Sequence, residues 1–174
     1  MAKLCRFGGL KASRRCRHRS INDLYLYLLS LLFLTIGVSG FSVSLPNYFA
    51  AELAAVYDDD AEMFAAQMVD PLADYLAALA GGGAALEFGI GTGRIALPLV
   101  KRGVAVTGID LSPHMLEQLA AKPGSEQITT VLGDFATTMV PDRFDVVYLV
   151  FNTLMNLTTQ AQQVACFALS LIHI

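Results

Sequence analysis

The chain has 174 residues, 55% hydrophobic and 16% charged, with a formal charge of −3; that length holds one domain and that composition excludes a disordered polar chain. Charge is unevenly spread: residues 1–22 carry seven of the twelve Lys and Arg and no acid, whereas from Leu24 onward five basic residues face fourteen acidic ones, a formal −9. A body this acidic repels phosphate backbones, so the expected partner is a small molecule and not a nucleic acid.

The basic start leads into residues 24–45, twenty-two residues without a charge. Such a run is long enough to cross a bilayer, with the basic flank kept on the cytoplasmic side. Three readings stand: a signal or anchor segment, an organelle transit sequence, or a stretch translated from upstream of the true start. Membrane contact is expected only if 24–45 is a genuine anchor. The leader is assigned to 1–46 and the domain to 47–167. Cys5, Cys16 and Cys166 show neither a CxxC pair nor a histidine at ligand spacing, so neither a metal site nor a disulfide framework is expected.

Two helical stretches come next, 49–56 and 61–80, with Asp58-Asp59-Asp60 between them to cap the second. Gly81-Gly82-Gly83 ends that helix. A βαβαβ alternation follows, with strands at 84–88, 104–109, 128–132 and 144–151, and helices at 94–102 and 113–122. Ser112-Pro113 reads as an N-cap followed by the first helical residue. Helices of this length between strands imply parallel pairing with right-handed crossovers, and ligands of such sheets bind beyond the strands' carboxyl ends.

Each strand does end in residues suited to a nucleoside. The first ends in Glu87-Phe88-Gly89-Ile90-Gly91-Thr92-Gly93, where glycines permit a tight turn and a close backbone approach. The second ends at Asp110, whose carboxylate is placed to accept both hydroxyls of a ribose. The third ends in Gly133-Asp134-Phe135, a carboxylate beside a backbone N–H that suits the amino edge of adenine. A dinucleotide competes for the same residues, since Gly91 to Ala96 fits G-x-G-x-x-A with Asp110 at the required distance. That register leaves Glu87 and Gly89 in or against the strand without a task, and it gives Asp134 none either.

The stretch ALEFGIGTGRIALPL resembles motif I of the class I S-adenosylmethionine-dependent methyltransferases. GVAVTGIDLSPHMLEQL resembles their second motif, VLGDFATT their third and FDVVYLVFNTLMNLTTQ their fourth. The resemblance covers about 48–167 and is nearest to bacterial small-molecule methyltransferases. It implies an α/β Rossmann-like doubly wound parallel sheet, here the N-terminal half, about four strands of seven, preceded by a hydrophobic helix. It further implies S-adenosyl-L-methionine as cofactor and a cytoplasmic domain. Glu87, by the same resemblance, lies near the methionine moiety with Gly89 and Gly91 beneath it and Gly93 closing the turn. Asp110 holds the ribose, Leu111 packs on adenine, Asp134 and Phe135 read its edge, and Asn152 faces the methionine end or the acceptor. Asn152-Thr-Leu-Met departs from the Asn-Pro-Pro-Tyr of nucleic-acid amino-methyltransferases, which again points to a small acceptor.

Displacement at a sulfonium needs alignment more than a base, and no catalytic residue is assigned. His114 reads as a surface residue, and Tyr57 either packs or closes over the donor. The ending ALSLIHI, residues 168–174, reads as a non-native tail on a domain cut short. Three functions remain at this stage: small-molecule methyltransferase, NAD(P)-binding oxidoreductase, and inactive truncated or membrane-anchored fragment.

Overall fold

The computed structural model describes residues 49–174, so the anchor, signal and transit readings of the leader lie outside the described residues. In chain order the elements are α1 (Ala51–Val56), a 3-10 turn (Tyr57–Asp59), α2 (Ala66–Ala80), β1 (Ala84–Phe88), α3 (Ala96–Lys101) and β2 (Ala105–Asp110). Then come α4 (Pro113–Ala120), a second 3-10 turn (Ser125–Gln127), β3 (Ile128–Leu132), β4 (Val146–Tyr148), a third 3-10 turn (Thr153–Asn156) and α5 (Gln160–His173). Among the described residues, no helix is long and apolar enough to cross a membrane.

All strand pairs are parallel and their order is β3-β2-β1-β4. The chain steps outward from β1 to β3, then returns to place β4 on the other side of β1. Winding therefore reverses between β1 and β4, the position where such sheets open a crevice at their carboxyl ends. Side chains alternate across the sheet. Ala85, Val106, Val146 and Tyr148 face Leu76, Leu99 and Leu119 from the helices of one layer. Leu86, Phe88 and Ile109 face Phe135, Phe144, Leu157, Cys166 and Leu169 on the other. Alternation puts Glu87 on the same face as Ala85 and Tyr148.

Local signals set most boundaries. Ser112 caps α4 by accepting from the Met115 N–H at 3.3 Å, with Pro113 in the first helical position. Thr159 and Gln162 form a reciprocal capping box at the start of α5. Gly81 ends α2 at φ +58°, the left-handed conformation that glycine adopts without steric cost.

Two expectations are corrected. The acidic run does not cap α2, which begins at Ala66 behind Ala65 with no side-chain cap. Asp60 instead accepts from the Met63 N–H at 3.1 Å, closing a local turn. The fourth strand is three residues long and not eight, because the chain leaves the ladder after Tyr148 and Phe151 turns to φ +56°. Residues 168–173 continue α5. His173 is buried there, its Nε2 accepting from the Val140 N–H at 2.9 Å and its carbonyl from the Phe144 N–H at 2.8 Å.

Candidate functional site at the carboxyl ends of the strands

The loop after β1 holds Gly89, Gly91 and Gly93, all at positive φ, yet the three serve different ends. A Cβ on Gly89 would sit 2.4 Å from Thr153 Cγ2, and one on Gly93 would sit 2.4 Å from Leu119 Cδ1. Those two glycines let the turn after β4 and helix α4 close on the loop. A Cβ on Gly91 would meet nothing within 4 Å, so this glycine borders open space, the position a ligand needs.

Asp110, at the tip of β2, is clasped to that loop. Its Oδ2 accepts from the Gly91 N–H at 2.7 Å and its Oδ1 from the Ser112 N–H at 2.9 Å. Burial raises its carboxyl above the ordinary range, and the N–H groups of Ser112, Gly91 and Leu111 pull it back. Leu111, beside it, is 54% exposed although apolar. The β3 end adjoins directly, since the Gly133 N–H donates to the Asp110 carbonyl at 2.8 Å. Asp134 Oδ1 accepts from the Ala136 N–H at 2.8 Å, and the buried Phe135 ring stacks on Phe88, centroids 6.1 Å apart. Any role of Phe135 toward a ligand is thus left to its backbone.

Glu87 is the penultimate residue of β1 at 2% exposure, in register with Tyr148 of β4, whose hydroxyl donates to its Oε2 at 2.9 Å. Burial pushes the Glu87 carboxyl up to about 8; the Tyr148 hydrogen bond and Arg94 pull downward, while Asp110 pushes further up. Arg94 follows the glycine loop, its Cζ 3.3 Å from the Phe151 ring centroid and 5.7 Å from that of Phe64. Its Nη1 is buried without a hydrogen-bond partner. Burial lowers the guanidinium, against the fields of Tyr57, Glu87, Asp60 and Asp58. Phe151 is, among the described residues, the one non-glycine at positive φ, a strain that places its ring against Arg94. Asn152 is exposed just beyond it.

Residues 49–64 lie over the loop. Thr92 Oγ1 donates to Asp58 Oδ1 at 2.6 Å; Lys122 pairs with Asp58 and donates to the Thr92 carbonyl at 2.7 Å. Ser112 Oγ donates to the Phe49 carbonyl at 2.6 Å, and the Phe49, Tyr57 and Phe64 rings meet edge to face.

The structure therefore joins Gly91 directly to Asp110, with Gly89 and Gly93 in the same loop, Glu87 just before that loop in β1, Leu111 and Asp134 adjoining, and Asn152 four residues beyond β4. Sequence reasoning does not single out Arg94, Tyr148, Lys122 or Phe151. Tyr148 offered a signal, a hydroxyl within an apolar strand, but its partner is fixed only by strand register. Arg94 reads as an ordinary first helical residue until its surroundings are known.

The family pattern described as a methyltransferase domain matches residues 85–170. Among solved structures, the CcbJ methyltransferase from Streptomyces caelestis is 35% identical, with 70% of this chain and 51% of that one covered and a TM-score of 0.60. The glycopeptide N-methyltransferase MtfA, solved with S-adenosyl-L-methionine, is 25% identical over 61% of this chain and 46% of its own, with a TM-score of 0.55. An uncharacterized methyltransferase of Geobacillus thermodenitrificans is 38% identical over 93 residues, 51% of this chain and 43% of its own. The chain spans about half the length of these relatives, or somewhat less.

Proposed function

We propose, from the match of residues 85–170 to the methyltransferase-domain family, that the chain is the donor-binding part of an enzyme that moves the methyl group of S-adenosyl-L-methionine onto a small-molecule acceptor. The observation that carries this reading is the clasp of Asp110 on the Gly91 N–H, beside the open side of Gly91. Its two oxygens each take one backbone N–H, and a carboxylate has about four acceptor sites, so two ribose hydroxyls are still accommodated.

The remaining residues fit the rest of the donor. Leu111 offers an apolar surface for adenine, and Asp134 with the Phe135 backbone suits its amino edge. Gly89, Gly91 and Gly93 shape the floor. The unpaired Nη1 of Arg94 calls for an anion, and Glu87 beside it calls for a cation, the two ends of an amino acid. Asn152 stands toward the methionine end or the acceptor. The donor supplies a methyl group already activated on sulfur. The chain's own work is to align it and to keep water out, the latter by residues 49–64 over the loop.

No general base is assigned. His114 is half-exposed against Glu117 at 3.4 Å, and His173 is buried in the opposite layer. A small-molecule acceptor is supported by the −9 charge of the body and by the glycopeptide acceptor of MtfA. We place the domain in the cytoplasm, where the donor is made.

Titration calorimetry with S-adenosyl-L-methionine tests the reading. The full chain is expected to bind it in a 1:1 ratio. Asp110→Ala removes charge-assisted bonds worth about 2 kcal/mol or more, a loss of roughly thirtyfold in affinity. Equal binding of donor by Asp110→Ala, or stronger binding of a nicotinamide dinucleotide by the unmodified chain, rejects it.

A further inference from the structure

Glu87 and Tyr148 occupy facing positions on β1 and β4, at 2% and 4% exposure, joined by one hydrogen bond of 2.9 Å. Neither group is comfortable alone. A phenylalanine at 148 would leave a carboxyl oxygen of Glu87 buried without its donor, and an apolar residue at 87 would strand the phenol. Among the described residues, none of the ion pairs includes Glu87. Arg94 from the loop and Asp110 from β2 act on it through space, with opposite signs. Tyr57, Asp58 and Asp60 of the covering segment act on Arg94. One neutral hydroxyl is weak compensation for a buried negative charge, so the acid form is favoured while the crevice holds no cation.

We propose that Tyr148 is a positioning residue for the methyl donor, holding the Glu87 carboxyl at the tip of β1 so that arrival of the donor's ammonium group expels the carboxyl proton to solvent. This rests on the donor reading above. The balance is simple: a protonated Glu87 and an ammonium become a carboxylate–ammonium pair, and one proton passes to the buffer. With the carboxyl pushed up to about 8 by burial, most of the ligand-free protein holds that proton at neutral pH. Tyr148 stabilises the carboxylate, so it lowers the cost of the exchange.

The test is calorimetry on the full chain with S-adenosylhomocysteine, which keeps the ammonium, and with adenosine, which lacks it. Each is titrated in two buffers of different ionisation enthalpy. Near neutrality the unmodified chain is expected to release close to one proton per S-adenosylhomocysteine and none with adenosine. Glu87→Gln is expected to bind S-adenosylhomocysteine with buffer-independent heat. Tyr148→Phe is expected to bind it roughly tenfold more weakly near neutrality, with the gap narrowing as pH rises past the carboxyl's shifted range. A purely structural Tyr148 would leave a gap constant with pH.

Buffer-independent heat in the unmodified chain overturns the inference and leaves the donor reading standing, as does a Tyr148→Phe gap that does not change with pH. No binding of S-adenosylhomocysteine at all overturns both. Should Tyr148→Phe fail to fold, the Glu87→Gln comparison decides: proton release equal to that of the unmodified chain overturns the inference, and its loss supports it.

Discussion

Glu87 carries a measurable consequence before any ligand is present. Its carboxyl stands at about 8 in the folded protein against 4.5 for a free glutamate, chiefly because burial disfavours the charge. Between those values the folded state holds a proton that the unfolded chain has lost. Stability is therefore fully present below about 4.5 and declines as pH rises toward about 8, with a slope of at most about 1.4 kcal/mol per pH unit from this one group. Asp110, also raised by burial, acts in the same direction. Thermal melts from about pH 5 to about pH 9 are expected to show a falling midpoint in the unmodified chain. Glu87→Gln keeps an acceptor for Tyr148 and loses the titration, so its melts should be flatter over the same range. A midpoint that rises with pH in both proteins would contradict the assignment. Cys166 adds a similar decline in stability at higher pH, since burial pushes its thiol up to about 11.

Among the elements, the covering segment is the one whose attachment the sequence misrepresents. Asp58-Asp59-Asp60 reads as a helix cap because carboxylates favour helix N-termini, but α2 starts too late to use it. Asp58 spends its charge on Thr92 and Lys122 instead, tying residues 49–64 to the glycine loop. The Lys122 and Asp58 side chains are 24% and 35% exposed, so water screens the pair and its worth is about 1 kcal/mol or less. Lys122→Met should therefore leave the melting midpoint nearly unchanged. Amide exchange within 49–64 should quicken by up to about fivefold, with β1 and β2 unaffected. Uniform acceleration across the sheet would mean that the covering segment and the core open together.

Over the whole molecule, the apolar surface is uneven. Val164, Leu171, Ile172 and Ile174 of α5 and its end are 46–61% exposed, as are Phe151 and Met155. β4, with its three residues, pairs with β1, and among the described residues no strand pairs with its other edge. Exposed apolar groups and an unpaired strand edge each favour association. The chain is expected to show concentration-dependent assembly in light scattering, and the double change Val164→Glu with Leu171→Glu should reduce it. Monodisperse monomer at about 100 μM in the unmodified chain would contradict this expectation, since aggregation-prone edges associate at μM–mM concentrations.

Legibility in the sequence follows the range of the interactions involved. β1 and β3 are read to the residue, Ser112-Pro113 and the glycine turns are read correctly, and the parallel sheet follows from strand spacing. All of these rest on neighbours in the chain, where propensity, capping and hydrophobic period act. The strand tips that gather Glu87, Asp110 and Asp134 are also implied once the sheet is parallel. What the sequence leaves open depends on partners far apart in the chain: Tyr148 beside Glu87, 61 residues earlier, and Asp58 on Thr92, 34 residues later. The half-buried position of Arg94, with its Nη1 lacking a hydrogen-bond partner, belongs to the same class, because desolvation is a property of the packed crevice. Local chemistry thus determined the frame, and only tertiary packing decided which charges that frame buries and which groups answer them.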